Sequence, residues 1–252
     1  LLDINLKEIW DYRDLLYMFI KRDIITIYKQ TIFGPLWYIA QPLLTMIVYI
    51  IIFGRIAKIP TDGMPPSIFY LAGIVLWNYF SVCFEHTSDI FYKNAYIFGK
   101  VYFPRLILPI SKVVSAIIKF IIQFILFLLV YFFFLYKGAD INSNIAILLL
   151  LYLLLLMGLI GLGAGIIISS LTIKYRDLTF LIAFGIQLLM YATPVIYPLS
   201  VVPENLKMLI ACNPITHVME AFKYAFLGVG EITLYCMLYT TVFSLLIMVI
   251  WI

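Results

Sequence analysis

Six long apolar stretches dominate this chain and limit the folds open to it. Each is about long enough to cross a hydrocarbon core of roughly 30 Å as an α-helix. The predicted spans are Leu36–Ala57, Ser67–Phe91, Arg105–Tyr136, Ile145–Ile173, Leu178–Tyr197 and Ile232–Ile252. With 65% hydrophobic and 12% charged residues, the chain has too little polar surface to cover a soluble globule. A membrane barrel would alternate apolar with polar residues, so we predict an all-α polytopic membrane protein, one domain over residues 1–252.

The cations are unequally distributed between the two sides of this six-span arrangement. One side carries Lys7, Arg13, Lys21, Arg22, Lys29, Lys93, Lys100, Arg105, Lys174 and Arg176, and the other carries Arg55, Lys58, Lys137, Lys207 and Lys223. Membrane proteins retain their Lys- and Arg-rich loops in the cytoplasm, so we predict that both termini are cytoplasmic. The charged segment from Asp3 to Arg22 gives no reason to expect a cleavable signal peptide. The net charge of +4 then reflects topology rather than a nucleic-acid partner.

The first 33 residues form a predicted amphipathic helix rather than a span. Its polar positions are Lys7, Asp11, Asp14 and Lys21, and its apolar positions are Ile9, Tyr12, Leu16, Phe19, Ile20, Ile24 and Ile27. We predict a helix in the cytoplasmic membrane interface with its apolar face in the headgroup region. Its role is either membrane anchoring alone or contact with a cytoplasmic partner as well.

The connection at residues 92–104, between the second and third spans, is unusually rich in aromatic and apolar residues. A solvated loop would be polar, so this segment is expected to pack against something. The pattern fits a short helix inserted into a groove of a partner protein, and burial among lipid headgroups is the alternative.

Residues 194–230 make the largest predicted feature on the other side. Pro203 can start a short helix through Lys207, and Asn213 and Pro214 form a second helix start. The second helix runs from Ile215 to Leu227, carries His217, Glu220 and Lys223, and stops at Gly228 and Gly230. Two helices too short to span predict a re-entrant or interfacial hairpin, which is tolerated at membrane depth only against protein or a water-filled cavity.

Residues that could carry enzymatic chemistry are scattered. Cys83, Cys212, Cys236, His86 and His217 have no metal-ligand spacing, and no G-x-x-x-x-G-K-[S/T] phosphate loop occurs. We predict no catalytic and no metal site, so any nucleotide-driven work must come from another chain.

Charged residues inside the spans are expected to be structural. Lys112, Ser115, Lys119 and Gln123 form one stripe of the third span, and folding the second and third spans together puts Glu85 level with Lys112. We predict a Glu85–Lys112 ion pair, with a proton relay as the sharper alternative. Gly158, Gly161, Gly163 and Gly165 give the fourth span a small-residue face for close helix contact.

Several separated motifs resemble one family. They are Tyr28-Lys29-Gln30-Thr31, Gly34-Pro35-Leu36-Trp37, Gln41-Pro42-Leu43, the segment Lys100 to Arg105, Tyr175-Arg176-Asp177, the segment Ala192 to Tyr197, and Asn213-Pro214-Ile215. With them the chain resembles the membrane subunit of bacterial type-two ABC exporters of cell-surface polysaccharides. The resemblance implies a homodimer in the inner membrane with two copies of an ATPase that binds ATP and Mg²⁺. It implies export of lipid-linked O-antigen (lipopolysaccharide), capsule or teichoic acid, without selecting one.

The same resemblance assigns roles to these segments. The 92–104 connection resembles the coupling helix that enters the ATPase, with Tyr96, Phe98, Lys100 and Tyr102 as its contacts. The N-terminal helix resembles the family's interface helix, and residues 194–230 resemble its extracytoplasmic gate helices. In the family, the first and fifth spans line the conduit.

Polar and aromatic stripes on those two spans fit a glycan path. Tyr38, Gln41, Thr45 and Tyr49 share one face of the first span, and Phe184, Gln187 and Tyr191 share one face of the fifth. Sugar C–H faces lie on aromatic rings and hydroxyls exchange hydrogen bonds with Gln, Thr and Tyr, so such faces can bind each sugar weakly and repeatedly. Ordinary packing of helix on helix is the alternative.

Two functions of different class remain in competition. The first is an ATP-driven polysaccharide exporter subunit. The second is an ion-coupled flippase for lipid-linked sugar, or an integral-membrane transferase, independent of an ATPase. Ion coupling needs titratable groups near the membrane midplane and a transferase needs a carboxylate or histidine constellation, and neither pattern is visible.

Overall fold

A computed structural model describes residues 6–29, 34, 36–98, 102–172, 174–175 and 177–251. Within these ranges the chain forms helices and turns and no β-strand, as predicted. The helices are α1 (Leu6–Asp11), α2 (Arg13–Lys29), α3 (Leu36–Tyr49), α4 (Pro66–Ser88), α5 (Ile90–Lys93), α6 (Ala95–Phe98), α7 (Ile107–Tyr136), α8 (Leu150–Thr172), α9 (Leu178–Tyr191), α10 (Glu204–Ala211), α11 (Pro214–Leu227) and α12 (Leu234–Trp251). A π-helical segment, Ile50–Ile56, continues α3, and 3-10 helices at Ile145–Leu149 and Leu199–Val201 precede α8 and α10.

Four helical segments of the described chain are long and apolar enough to cross a membrane. They are Leu36–Ile56, Pro66–Ser88, Ile107–Tyr136 and Ile145–Thr172, and two shorter apolar helices cover Leu178–Tyr191 and Leu234–Ile250. The 14 residues of α9 rise about 21 Å, less than a hydrocarbon core of roughly 30 Å. The helix ends before the predicted limit at Tyr197 because residues 192–197 turn around Pro194.

The centre of the fold is α4. Every residue from Ile68 to Leu76 is buried, including the rings of Phe69 and Tyr70. The helix packs between α7 and α8, with α3 and α11 against its other sides. At Gly73 an added Cβ would lie 2.5 Å from the Val195 carbonyl oxygen, so the chain after α9 passes directly over α4. Residues 68–76 of this helix are therefore apolar on all sides and enclosed by protein.

Glycines bring α8 close to α4, in agreement with the predicted small-residue face. A Cβ at Gly161 would lie 2.8 Å from Cys83 Cβ, and one at Gly165 would collide with the Thr87 hydroxyl oxygen. That hydroxyl donates to the Cys83 carbonyl at 2.7 Å and lies 3.2 Å from the Gly161 carbonyl. Gly163 points to the other side, where a Cβ would collide with Ile247 of α12. The predicted face is therefore confirmed for Gly158, Gly161 and Gly165, whereas Gly163 lies on another face of α8.

The short helices α10 and α11 form a hairpin between α9 and α12. The Asn213 carboxamide oxygen accepts a hydrogen bond from the Ile215 N–H at 3.1 Å, with Pro214 at the first helical position. The helix ends at Gly228, whose φ of +73° is left-handed and whose hydrogen faces the Asn142 carbonyl. The predicted limits of this helix are confirmed.

Candidate transport path and coupling surface

The stripe on α3 borders the protein core on one side. Gln41 is exposed, and the Thr45 hydroxyl donates to the Gln41 carbonyl at 2.9 Å. Tyr49 is half-buried, with its ring against those of Phe53 and Tyr70 at centroid distances of 5.4 and 6.1 Å. The four predicted residues therefore share a face, but that face is partly covered at its Tyr49 end.

The stripe on α9 is more open. Phe184, Gln187 and Tyr191 are exposed, and Ile186 is the buried residue of this helix. The Tyr49 hydroxyl donates to the Met190 sulfur at 3.4 Å, so the end of α3 contacts the end of α9 beside Tyr191. The structure thus brings the two predicted stripes together at one end.

A lysine lies at the opposite end of the α3 stripe. The ammonium of Lys119, on α7, lies 5.3 Å from the centroid of the Tyr38 ring, a favourable cation–π distance. The sequence analysis placed Lys119 on the polar stripe of the third span. The spacing of Tyr38 carried no signal for this contact, because it depends on how α3 packs beside α7.

The partner of Lys112 differs from the sequence prediction. The Lys112 ammonium lies 2.6 Å from the carboxylate of Asp23 on α2, and both side chains are mostly buried. Glu85 accepts a hydrogen bond from the Ser81 hydroxyl at 3.1 Å instead. The predicted Glu85–Lys112 pair is thus replaced, because α2 packs along the first turns of α7 and supplies the nearer carboxylate.

An apolar cluster joins the interface helix to the connection between α4 and α7. We call it the interface cluster; it comprises Ile90, Phe103, Ile107 and Leu108 with Tyr12, Leu15, Leu16, Phe19, Phe91 and Ile97. Phe19 and Phe103 contact each other with ring centroids 6.0 Å apart. Part of the predicted apolar face of α2 therefore packs on protein, and the location of this helix in the membrane interface stays a prediction. Periodicity identified a covered face but not what covers it.

The predicted coupling segment presents aromatic side chains outward from this cluster. Tyr96 is 65% exposed and Tyr102 is 83% exposed, whereas the neighbouring Phe103 is 5% exposed. α5 and α6 are single turns, and the Asn94 carboxamide between them donates to the Ile90 carbonyl at 2.8 Å. Lys100, the side chain of Phe98, and residues 1–5 and 30–33 of the N-terminal segment lie outside the described residues. The described part of the coupling segment therefore rests on the interface cluster and exposes the rings of Tyr96 and Tyr102.

A buried ion pair holds the α10–α11 hairpin against the turn after α9. The Lys223 ammonium donates to the Pro194 carbonyl at 2.5 Å and lies 4.1 Å from the centroid of the Phe69 ring. The Glu220 carboxylate lies 3.9 Å from the Lys223 ammonium, one turn earlier on the same helix, and its Oε1 atom accepts no hydrogen bond from the described residues. Both side chains are at most 5% exposed. The sequence put both residues on this helix, but their burial depends on the passage of residues 193–197 beneath α11.

Burial shifts the pKa of each member of this pair toward its neutral form. Desolvation raises the pKa of the Glu220 carboxyl to about 7, against the opposing field of Lys223. Desolvation likewise lowers the pKa of the Lys223 ammonium to about 8, against the opposing fields of Glu220 and Asp62. The helix that carries them is too short to span the membrane.

Among the described residues, no group of three or more His, Cys, Asp or Glu side chains could hold a metal ion. Cys83, Cys212 and Cys236 are free thiols distant from one another in the sequence.

Comparisons with known proteins agree on one family. A family model described as ABC-2 type transporter matches residues 14–227. A Klebsiella pneumoniae protein named O-antigen export system permease protein RfbA is 29% identical over 238 residues, which are 93% of this chain and 88% of that protein. A Myxococcus xanthus protein of the same name is 25% identical over 224 residues, covering 87% and 83% of the two chains. The Neisseria meningitidis capsule polysaccharide export inner-membrane protein CtrC is 22% identical over 215 residues, covering 82% and 77%.

Proposed function

This chain belongs to the ABC-2 type transporter family, and we propose that it is the membrane subunit of an ATP-driven exporter of lipid-linked polysaccharide. The match that carries this proposal spans α2 through α11, so it includes the coupling segment, the stripes and the α10–α11 hairpin. Relatives named for O-antigen and capsule export support a cell-surface polysaccharide as the cargo.

We propose six membrane spans, with α9 and α12 completing the four longer helices. The short α9 is followed by turns at residues 192–197, of which residues 193–196 are buried and Val195 lies against Gly73 of α4. The α10–α11 hairpin then acts as the extracytoplasmic gate, and the cation distribution supports cytoplasmic termini in the inner membrane.

The conduit is proposed to follow α3 and α9 in a homodimer. In the α3 span only 6% of the most apolar window is buried within one protomer. A second copy related by a two-fold axis can face these helices and enclose the stripes between them. A polymer would then pass from the Tyr38 end to the Tyr191 end over weakly polar and aromatic groups, without a single tight site that would stall it.

The ATPase is proposed to dock on the exposed rings of Tyr96 and Tyr102, with Phe98 and Lys100 alongside. Two ATPase copies would bind ATP and Mg²⁺ and move the platform formed by the interface cluster. The Asp23–Lys112 pair ties that platform to α7, so motion at the docking surface is transmitted into the membrane helices.

Deletion of the gene in its native host tests this function. We expect polysaccharide to disappear from the cell surface while its lipid-linked form accumulates inside, and loss of the ATPase gene should give the same result. A transferase would instead leave the polymer unmade. An ion-coupled flippase would continue to export polysaccharide without the ATPase gene. Absence of the polymer inside the cell, or export without the ATPase gene, would reject the proposal.

A further inference from the structure

We infer that a polar cavity between the end of α4 and the start of α9 binds one sugar residue of the exported glycan at the cytoplasmic mouth of the path. The inference rests on the proposed function and adds a binding site to it. The cavity has a volume of about 230 Å³. Its lining residues are Glu85, His86, Ser88, Asp89, Lys93, Thr179, Ile182 and Ala183.

The charges around this cavity favour a neutral, hydroxyl-rich ligand. Lys93 already pairs with Asp89 at 2.5 Å, and Lys112 with Asp23 at 2.6 Å. Glu85 lies within electrostatic reach of Lys119. The lysine of the lining, Lys93, is therefore already paired, so a pyrophosphate would have to displace the Asp89 carboxylate from it. Sugar hydroxyls, in contrast, can donate to the carboxylates and exchange hydrogen bonds with the imidazole of His86.

The size and the wall of the cavity fit a single ring. Its volume lies below the roughly 300–1,000 Å³ of sites for drug-sized ligands, which suits one pyranose rather than several. Ile182 and Ala183 provide an apolar wall beside the polar groups, where the C–H face of a sugar can pack. An amphipathic ligand of this kind matches both halves of the lining.

The position of the cavity connects it with the α9 stripe. Ala183 is one helical turn before Gln187 and directly precedes Phe184, so the cavity opens beside the start of that stripe. Lys93 belongs to the connection with the exposed coupling rings, which places the cavity at the same end of the molecule. A glycan arriving from the cytoplasm would meet it before the rest of the path.

Export by cavity-filling variants tests the inference. Ala183→Trp fills the space, and Gly185→Trp on the opposite side of α9 is the matched control, because no atom of the described residues lies within 4 Å of a Cβ at Gly185. We expect Ala183→Trp to reduce surface polysaccharide at least tenfold while dimer and ATPase still co-purify, and Gly185→Trp to stay within twofold of wild type. Wild-type export by both variants would overturn the binding site but leave the proposed function intact. Loss of the dimer in Ala183→Trp would show that a second copy fills the cavity, and would also overturn it.

A labelling experiment identifies the ligand. A single cysteine at Ala183, in a chain lacking the three native cysteines, is treated with a water-soluble maleimide in the purified exporter complex. We expect extracted lipid-linked glycan to slow labelling at least fivefold and inorganic pyrophosphate to leave it unchanged. Protection by pyrophosphate, or equal labelling with and without glycan, would overturn the inference. If wild-type cells export no polysaccharide through this chain, the proposed function itself fails.

Discussion

α3 and α4 have comparable hydropathy but opposite positions in the protomer. The α3 span has a mean hydropathy of 2.0 and the α4 span one of 1.6. Over an 18-residue apolar stretch of each span, however, 6% of the α3 residues and 72% of the α4 residues are buried within the molecule. α9 resembles α3 in its low burial, since Ile186 is the one buried residue of this helix. Hydropathy therefore separates lipid-compatible helices from the rest, but it does not say which of them forms the core.

The enclosed helix α4 and the exposed helices α3 and α9 also differ in the residues on their surfaces. α4 has glycine and aromatic residues that fit against α7, α8 and the turn after α9, so it serves as scaffold. α3 and α9 keep Gln41, Phe184, Gln187 and Tyr191 on uncovered faces. We interpret the first as the fixed frame of each protomer and the second as the surfaces that the polymer and the second copy use.

The difference in burial between α4 and α9 predicts the largest loss of stability for substitutions at the α4–α8 contact. Gly165→Leu should destabilise the chain by about 4 kcal/mol or more, above the usual cost of overpacking, because its Cβ would collide with Thr87. Gly185→Leu on α9 should leave stability nearly unchanged. Thermal unfolding in detergent measures both, and equal losses would mean that α9 is as enclosed as α4.

The buried pair in α11 extends the covered region to the proposed gate. Lys223→Met should cost about 3 kcal/mol, because it leaves the Glu220 charge buried without a partner. The double variant with Glu220→Gln should recover much of that loss. If the double variant is no more stable than Lys223→Met alone, the pairing is contradicted.

The same pair predicts an unusual dependence of stability on pH. The Glu220 pKa is raised on folding, so its ionisation costs native stability as pH rises from about 4.5 to about 7. The Lys223 pKa is lowered, so native stability recovers as pH rises from about 8 to about 10.5. Relative to the double variant, wild type should therefore be less stable near neutral pH than at either acidic or alkaline pH. A constant difference in unfolding midpoint across this range would contradict the assignment.

Two neighbouring aromatic residues, Tyr102 and Phe103, distinguish binding of the ATPase from structural support by the interface cluster. Phe103→Ala should destabilise the chain by about 3 kcal/mol by opening a cavity in the interface cluster. Tyr102→Ala should leave unfolding unchanged and reduce co-purification of the ATPase, because this ring is exposed. The reverse pattern would mean that the cluster does not support the docking surface.

The smallest predicted effect concerns the Asp23–Lys112 pair. A double-mutant cycle with Asp23→Asn and Lys112→Met should give a coupling energy of about 1 kcal/mol. The matched cycle with Glu85→Gln should be additive. Coupling in the Glu85 cycle alone would restore the pair expected from the sequence.

The sequence allowed prediction of the helical class, four of the spans by length and composition, and the start and end of α11. Those features depend on local signals such as apolar length, the Asn213 cap and Gly228. The partner of Lys112 and the covered face of α2 could not be predicted, because both depend on how α2 packs beside α7. The burial of Lys223 likewise depends on the course of residues 193–197. The conduit and coupling residues remain proposals, since their function involves chains and ligands beyond this one.

The central claim is that the uncovered faces of α3 and α9 meet water and glycan, whereas equally exposed residues elsewhere meet lipid. Single cysteines at Gln41, Phe184 and Gln187 can be compared with cysteines at Leu129 of α7 and Leu155 of α8, which are 65% and 57% exposed. Each is placed in a chain lacking Cys83, Cys212 and Cys236 and treated with a water-soluble maleimide in the assembled exporter during ATP turnover. The account predicts rapid labelling at the first three positions and protection at Leu129 and Leu155. Equal labelling of both sets, or no labelling of the first, would contradict it.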